Sequence, residues 1–424
     1  MNYLHKMYNN NKIADVIEKI EKAVEKLENA VKKLEDAVEK GKGSFDIAEL
    51  VLKNDAYINA FDRQGNTLLF RAAFDGQLSC VALLLDRGAK IDAVTNDGFT
   101  ALGAAAQEGH LGVVELLVKR SANIEYGTKK GKTPLMSASA LNRVVVVRYL
   151  LDNGAKIGAQ TNTLKYTALH LASKHGHIDV VNLLLDRGAK IDAKDIRGFT
   201  PLMMAAIKNG VGVVRFLLDN GDKINTNNDD GDTALHLASR QGHIDVVKLL
   251  LDRGASVRAV NRLGQTALHI AAAYKHADVV RSLLDKGAKI DAEDHLKWVP
   301  LHYASQFNEN ANNNIIDSAK MLIMRGADMS TPTHEDGKTA WDLLDKKFHT
   351  EIKDYIKKIM TESYTEMLNI PMSSPYDRLP AYVFLEIIRY LPNTEWLNEL
   401  DMIKTLQGRR NNFTKVMESR KLKA

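Results

Sequence analysis

The sequence has a single cysteine, so no disulfide can form within the chain, and this composition fits a reducing compartment. Cys80 stands where an apolar helix residue is due, which favours core packing over a reactive thiol. No apolar run reaches the about 20 residues that a membrane-spanning helix requires, so we expect no integral membrane association. The N-terminal residues lack the apolar stretch of a secretory signal, and a cytoplasmic protein is therefore predicted.

Patterns typical of catalysis are also missing. The chain contains no Ser-His-Asp order, no paired acid motif and no glycine-rich cofactor loop outside a repeating pattern. The run GKGS at 41–44 lacks the upstream glycine and the preceding strand of a phosphate-binding loop. A net charge of only +5, without a recognised nucleic-acid-binding fold, argues against nucleic acid as a partner. We therefore expect no enzymatic activity and no cofactor.

What the sequence does contain is internal repetition. Segments such as TALHLAS (167–173 and 233–239) are followed by GHIDVV (176–181 and 242–247). These segments resemble the ankyrin-repeat family, in which each copy forms a turn, a short helix, a loop and a longer helix. The turn position recurs mostly every 33 residues, at Gly65, Gly98, Gly131, Lys165, Gly198, Gly231, Gly264, Lys297 and Gly337.

Each part of the repeat also has a physical reason. Thr167, Thr233 and Thr266 are suited to cap a helix N-terminus, and proline follows the equivalent threonine in other copies, where a missing N–H costs nothing. Gly176 is placed to reverse the chain before the second helix, whose apolar face comprises Val180, Val181, Leu183, Leu184 and Leu185. One helix pair cannot bury its apolar faces alone, so neighbouring copies are expected to stack into an all-α solenoid.

The domain organisation follows from where the repetition starts and stops. Residues 1–43 are expected to form an amphipathic helix and 44–360 an array of about nine repeats after a partial first one. Residues 361–378 are expected to form a linker, and 379–424 a small helical module with a basic tail. Within the array, the asparagine-rich insertion at 306–314 is interpreted as a tolerated loop extension.

The N-terminal segment 13–38 carries apolar residues at heptad spacing, with Glu and Lys on the flanks. Ile and Val in one column, with Leu at two of the four positions of the other, favour a two-stranded coiled coil, and hence a dimer through residues 13–38. The alternative is a single helix that folds back over the first repeat. The sequence leaves both interpretations open.

Histidines recur in pairs seven residues apart, and this spacing resembles a set of metal ligands. Both members of each pair occupy ordinary positions of the ankyrin pattern, one on the first helix and one at the start of the second. We therefore predict structural hydrogen bonds for them and no metal site. The pairs are His170 with His177, His236 with His243, and His269 with His276.

The ankyrin resemblance implies a protein target bound on the concave surface, at the hairpin tips and the exposed ends of the first helices. Basic and aromatic residues at those positions form a surface typical of protein binding. The alternative is an ordinary solvated face. The candidate target-binding residues are Lys129, Lys130, Lys132, Tyr166, Lys174, His175, Arg197, Phe199, Lys208, Arg240, Arg262, Tyr274 and Trp298.

The C-terminal segment resembles an F-box, the helical module that docks on the Skp-type adaptor of cullin–RING ubiquitin ligases. The resemblance rests on Leu379-Pro380, the Ile387-Ile388 pair and Tyr390-Leu391-Pro392. It departs from the common pattern at Tyr382, where the motif usually has an acidic residue. The resemblance implies that an adaptor would bind Leu379, Pro380, Phe384, Ile387, Ile388 and Leu391.

Ankyrin repeats followed by an F-box-like segment resemble host-directed proteins of poxviruses and of intracellular bacteria such as the Rickettsiales. The resemblance implies an effector that acts in the cytosol of a host cell and brings a target protein to a ubiquitin ligase. The alternative is a plain ankyrin scaffold whose C-terminal helices only cap the array.

Overall fold

The computed structural model describes residues 58–306, 317–329, 331–334, 337–343 and 355. The predicted N-terminal heptad, most of the partial first repeat, most of the asparagine-rich insertion and the whole F-box-like segment lie outside the described residues. The chain divides into two compact units, Met1–Ala288 and Lys289–Ala424. We number the repeats from their turn residues, so that Gly65 begins repeat 1 and Lys297 begins repeat 8.

In the first unit, each of the seven repeats contributes two antiparallel helices. The first helices are α1 Leu68–Phe74, α3 Ala101–Glu108, α5 Pro134–Ala140, α7 Ala168–Lys174, α9 Pro201–Ile207, α11 Ala234–Gln241 and α13 Ala267–Ala273. The second helices are α2 Leu78–Asp86, α4 Leu111–Lys119, α6 Val144–Asp152, α8 Ile178–Asp186, α10 Val211–Asp219, α12 Ile244–Asp252 and α14 Ala277–Asp285.

The first helices begin at threonine, as predicted. The hydroxyl of Thr100 accepts a hydrogen bond from the Gly103 amide at 3.1 Å, and Thr67 caps α1 in the same way. Capping satisfies an N–H group that would otherwise lack a partner inside the helix. At Thr233 and Thr266 the closest hydroxyl contact is instead with Nδ1 of the histidine three residues later, at 2.8 and 2.9 Å.

The loops between paired helices reverse the chain at residues with positive φ. At Gly242, φ is 73°, and an added Cβ would lie 2.5 Å from Nδ1 of His276 in the next repeat. A side chain at this position would therefore meet both backbone strain and a neighbouring ring. Glycine is required here because the neighbouring repeat approaches the turn so closely.

The core of the first unit is continuous along the stack. Each first helix packs on its own second helix and on the first helices of the adjacent repeats, and the second helices pack on one another in the same order. In α8, Val180, Val181 and Leu184 are fully buried, whereas Leu185, predicted to share the apolar face, is only half-buried. Cys80 is buried in α2 at 4% exposure, which confirms the predicted core packing. This arrangement confirms an all-α solenoid.

Ion pairs also connect second helices of successive repeats. Arg120 lies 2.8 Å from Asp86, and Lys286 lies 2.8 Å from Asp252 one repeat earlier. In each case the basic residue follows its helix, and the aspartate ends the preceding second helix. Because these pairs are solvent-exposed, water and salt screen the attraction and each contributes little to stability.

The second unit contains α15 Pro300–Ser305, α16 Asp317–Met324 and α17 Ala340–Leu343. His302 in α15 bonds to the Thr331 carbonyl at 2.9 Å, which fixes the turn that leads into the ninth repeat. Across the described part of the chain there are isolated β-bridges but no strand. Helix pairs therefore account for the regular structure of both units.

Candidate partner-binding surface

The hairpin tips of the first unit are held side by side by backbone hydrogen bonds. The Lys129 amide donates to the Asp97 carbonyl at 3.0 Å, and the Asn162 amide donates to the Lys130 carbonyl at 2.8 Å. The same bond joins Ile196 to Leu164 at 3.0 Å. The tips thus form one row, and a side chain at an equivalent position in each repeat projects beside its neighbours.

The first histidine of each pair fixes the position that precedes the next helix. Nδ1 of His170 accepts a bond from the Thr167 amide at 3.2 Å, and Nε2 donates to the Phe199 carbonyl at 3.0 Å. His236 makes the equivalent bonds to Thr233 and Gln265. Burial lowers the pKa of His170, so the ring stays neutral, as an accepting Nδ1 requires.

The second histidine of each pair bonds in the opposite direction along the stack. His177 donates to the Ala140 carbonyl and His243 to the Ile207 carbonyl, each at 2.9 Å, and these carbonyls lie at the end of the preceding repeat's first helix. The predicted structural role of the histidines is confirmed by these bonds. Over the residues that the structure describes, no group of three or more His, Cys, Asp or Glu side chains could hold a metal ion.

The candidate residues at the tips differ in what they contact. Lys129 and Lys130 are exposed on the tip of repeat 3, and Arg262 is exposed on the tip of repeat 7. The guanidinium of Arg197 lies over the Phe199 ring, 5.3 Å from its centroid, and pairs with Asp230 at 3.0 Å. Arg197 therefore already has an anionic partner on the next tip.

Four candidate residues of repeats 3 to 5 form a group, which we call the central cluster: the lysines Lys132, Lys174 and Lys208, and His175. Desolvation lowers the pKa of His175, and the charges of Lys174, His177, Lys132 and Lys208 lower it further. The three lysines are thus close enough to act on one imidazole. Burial likewise lowers the pKa of Lys132.

Aromatic candidates border the central cluster. Tyr166 is half-buried and stacks on His170 with ring centroids 5.8 Å apart, and Nζ of Lys174 lies 5.9 Å from the Tyr166 centroid. Phe199 is also half-buried and precedes the cap of the next first helix. The cations of repeats 3 to 5 therefore lie beside aromatic rings, which can contribute cation–π attraction.

Two candidates further along the chain have partners within their own repeats. Nη2 of Arg240 lies 2.9 Å from Oδ2 of Asp232, whose side chain is 3% exposed. In the second unit, Trp298 packs on His302 and Tyr303, with centroids 5.6 and 5.1 Å apart. Tyr274 differs from both, since 55% of it is exposed and it stacks only loosely on His276, at 6.5 Å. Arg240 and Trp298 are thus engaged in holding their own repeats.

Sequence reasoning missed several exposed apolar residues on the tips, among them Leu164 and Ile196 on adjacent tips and Leu263 on the tip of repeat 7. Leu164 is 42% exposed and Ile196 is 56% exposed, and the backbone bond between them places their tips in contact. The prediction selected only basic and aromatic residues at the tips, so these aliphatic side chains were left out. The signal that was available is that Leu164 and Ile196 both lie within two residues of the turn residue of their repeats.

The predicted adaptor-binding residues, from Leu379 to Leu391, lie outside the described residues, as do residues 13–38. In the described part of the chain, no helix is long and apolar enough to cross a membrane. Of the two predicted sites, the structure therefore supplies contacts only for the candidate target-binding residues.

Comparisons with known proteins agree with this architecture. A family model for ankyrin repeats, in three copies, matches residues 34–128, 69–161, 121–195, 191–261 and 256–333. A search of curated proteins finds no match. The crystal structure of the human ASB11 ankyrin repeat domain is 30% identical over 53% of this chain and 99% of that chain, with a TM-score of 0.49. Because the family matches extend from residue 34 to residue 333 and the helix pairs follow the same period, the chain belongs to the ankyrin-repeat family.

Proposed function

We propose that the chain is a non-enzymatic adaptor whose concave ankyrin surface binds a target protein. Ankyrin arrays are protein-interaction scaffolds, and the observation that supports a specific site here is the central cluster of repeats 3 to 5. Lys174 of this cluster lies beside the ring of Tyr166, and tyrosine is common at the energetic centre of protein interfaces.

The second part of the proposal concerns the F-box-like segment, residues 379–424. We propose that it recruits a Skp-type adaptor of a cullin–RING ligase, so that a target held by the array is brought to the ubiquitin machinery. The support is the Leu379-Pro380 opening, the Ile387-Ile388 pair and the closing Leu391-Pro392, together with their place after the repeats. A cytosolic site of action, including the cytosol of a host cell, is part of the same proposal.

The heptad at 13–38 adds an oligomeric state to the proposal. A parallel coiled coil through this segment would place two arrays in one particle and raise the effective affinity for a target with two binding segments. A helix that folds back over the first repeat would leave the chain monomeric, so the mass of the intact protein in solution separates these alternatives.

The ligase hypothesis is tested with the full chain, a purified Skp-type adaptor and two substitutions, Leu379→Ala and Pro380→Ala, combined in one variant. We expect the intact protein to retain the adaptor in a pull-down and the double variant to lose it. Thermal unfolding of the array should remain nearly unchanged, because a docking residue contributes to the complex more than to the isolated fold. Binding and stability would then separate.

The alternative function, a plain scaffold with a C-terminal cap, predicts the reverse. Ile387→Ala and Leu391→Ala would each lower the free energy of unfolding by roughly 2–5 kcal/mol, the usual range for emptying a packed position. If the intact chain never retains the adaptor and a chain lacking 379–424 unfolds early, the C-terminal segment is a cap and the ligase hypothesis is wrong.

A further inference from the structure

The lysines of the central cluster have no carboxylate partner. None of Lys132, Lys174 and Lys208 forms an ion pair with any residue that the structure describes. Elsewhere in the first unit, some cations at turns and helix ends are paired, as Arg197 is with Asp230 and Arg240 with Asp232, whereas the exposed Arg262 has no ion pair among the described residues. Repeats 3 to 5 thus contain a stretch of uncompensated positive charge.

Partial burial makes this charge costly in the free protein. Lys132 is half-buried and its ammonium has no anion nearby to offset the lost hydration, so burial alone lowers its pKa. The mutual repulsion within the cluster acts in the same direction at His175. A carboxylate placed among these groups would relieve both effects, because it would supply the missing counter-charge in a partly desolvated place.

Apolar surface surrounds the charges on the same repeats. Leu164 and Ile196 are exposed on the tips, and the rings of Tyr166 and Phe199 lie half-buried behind them. On the first helices of the same repeats, Leu171 and Met204 are already buried. A ligand that fits this surface therefore carries apolar side chains between its acidic groups.

Acidic residues limit the positive stretch on one side. The tip of repeat 6 has the exposed pair Asp229 and Asp230, of which Asp230 is paired with Arg197. A nucleic-acid backbone would carry its phosphates past these carboxylates and past two aliphatic tips, neither of which attracts phosphate. A short acidic peptide segment with apolar side chains meets no such conflict.

We infer that the concave surface of repeats 3 to 5 binds an acidic protein segment whose carboxylates pair with Lys132, Lys174 and Lys208 and whose apolar side chains contact Leu164, Ile196 and the neighbouring rings. The inference rests on the proposed scaffold function and adds the chemical class of the target and its place on the array. Attraction between exposed charges is screened by salt, so the affinity depends on ionic strength.

The test uses the full chain and a fluorescent peptide of about 12 residues that alternates Glu with Leu and Trp; a matched peptide has Gln in place of Glu. One variant combines Lys132→Gln, Lys174→Gln and Lys208→Gln. The control variant combines Lys90→Gln, Lys156→Gln and Lys223→Gln, which remove the same charge from exposed lysines at one equivalent loop position after the second helices. Fluorescence anisotropy measures the dissociation constant of each pair.

We expect the cluster variant to bind the acidic peptide about tenfold more weakly than the wild type, and the control variant to change binding by less than about twofold. Raising the salt from about 50 to about 300 mM should weaken the wild-type complex more than the complex of the cluster variant. An NMR titration gives a second readout, since the pKa of His175 should rise when carboxylates bind beside it.

Several results would overturn the inference. They are equal loss in the two triple variants, equal affinity for the Glu and Gln peptides, and displacement of the peptide from the cluster by a single-stranded oligonucleotide at lower concentration than by unlabelled peptide. The proposed scaffold function is judged separately. If a target protein binds the array with the same affinity in the cluster variant, the array is a scaffold but repeats 3 to 5 are not its acidic-segment site.

Discussion

Repeats 3 to 5 and repeats 6 and 7 have the same arrangement of helices but differ in the residues at their turns and in their charged side chains. The second helices of all five are nine residues long, and threonine precedes every first helix. In repeats 6 and 7 the tip residues with positive φ are Gly231 and Gly264. In repeats 3 to 5, three positions with positive φ are occupied by Asn142, Lys165 and Asn209.

The same stretch contains the other departures from the repeat. A non-glycine residue at positive φ is strained, and repeat 7 shares only one such position, Lys275. In repeat 5 a buried aspartate, Asp222, follows the second helix, and the equivalent residue of repeat 6 is Ala255. The unpaired lysines belong to repeats 3 to 5 as well. The strained turn residues and the lysines of the central cluster thus fall in the same three repeats, as is common where a surface is kept for binding at some expense of stability.

The largest effect we expect comes from removing the histidine link in repeat 6. His236→Ala leaves the buried Thr233 N–H and the Gln265 carbonyl without their partner. Each unsatisfied group costs about 1–3 kcal/mol, so the free energy of unfolding should fall by roughly 4 kcal/mol. Chemical unfolding followed by circular dichroism measures the change.

The pH dependence of this variant provides its control. Burial lowers the pKa of His236, so the folded protein resists protonation of the ring while the unfolded chain does not. The contribution of His236 to the free energy of unfolding is fully present above the ordinary pKa of 6.5, and it declines as the pH falls below that value. The His236→Ala variant should lose less stability between pH 7.5 and pH 5.5, and an equal loss in both proteins would contradict the assigned role.

A smaller and opposite effect, a gain in stability, is expected from replacing Asp222, which follows the second helix of repeat 5. Asp222 is 8% exposed, neither of its carboxyl oxygens has a hydrogen-bond partner in the described structure, and burial raises its pKa to about 6. The nearby carboxylate of Asp192 also raises the pKa, whereas the Lys223 amide, whose approach to the carboxyl falls short of hydrogen-bond geometry, opposes the shift. Asp222→Ala should therefore raise the free energy of unfolding at pH 7 by roughly 2 kcal/mol. The difference between the ordinary pKa of 3.8 and about 6 corresponds to ~3 kcal/mol, and the smaller value allows for the solvent that reaches the carboxyl.

The stabilisation by Asp222→Ala should disappear at low pH. Below its ordinary pKa of 3.8 the carboxyl is protonated in both the folded and the unfolded chain. Between that value and about 6 only the unfolded chain loses the proton, so the wild type loses stability as the pH rises through this range. The reciprocal change, Ala255→Asp in repeat 6, should lower the free energy of unfolding at pH 7, because it places a carboxyl at the equivalent buried position. If neither substitution changes the stability, this contrast between the two repeats is wrong.

Much of the fold could be predicted from the sequence because the same local sequence pattern recurs in successive repeats. The cap at Thr167, the reversal at Gly176 and the apolar face of α8 each follow from local spacing. The exception in α8, Leu185, depends on how far the neighbouring repeat covers that residue, which spacing within one helix does not reveal.

The candidate site was harder to predict because its chemistry depends on partners in other repeats. Lys132 and Arg240 are both basic residues at predicted surface positions, yet Arg240 has Asp232 beside it and Lys132 has no carboxylate. Whether a charge is compensated is decided by side chains that stacking brings together. Trp298 likewise fits an exposed aromatic by sequence position but packs on two rings of its own repeat.

Photo-crosslinking of the full chain with the acidic peptide, carrying a benzophenone side chain in place of one Leu, tests the central claim most directly. Mass spectrometry then identifies the crosslinked residues. The account predicts crosslinks within 129–132, 164–175 and 196–208, and their loss in the chain with Lys132, Lys174 and Lys208 changed to Gln. Crosslinks on the first helices of repeats 6 and 7, or on the second helices of any repeat, would contradict it.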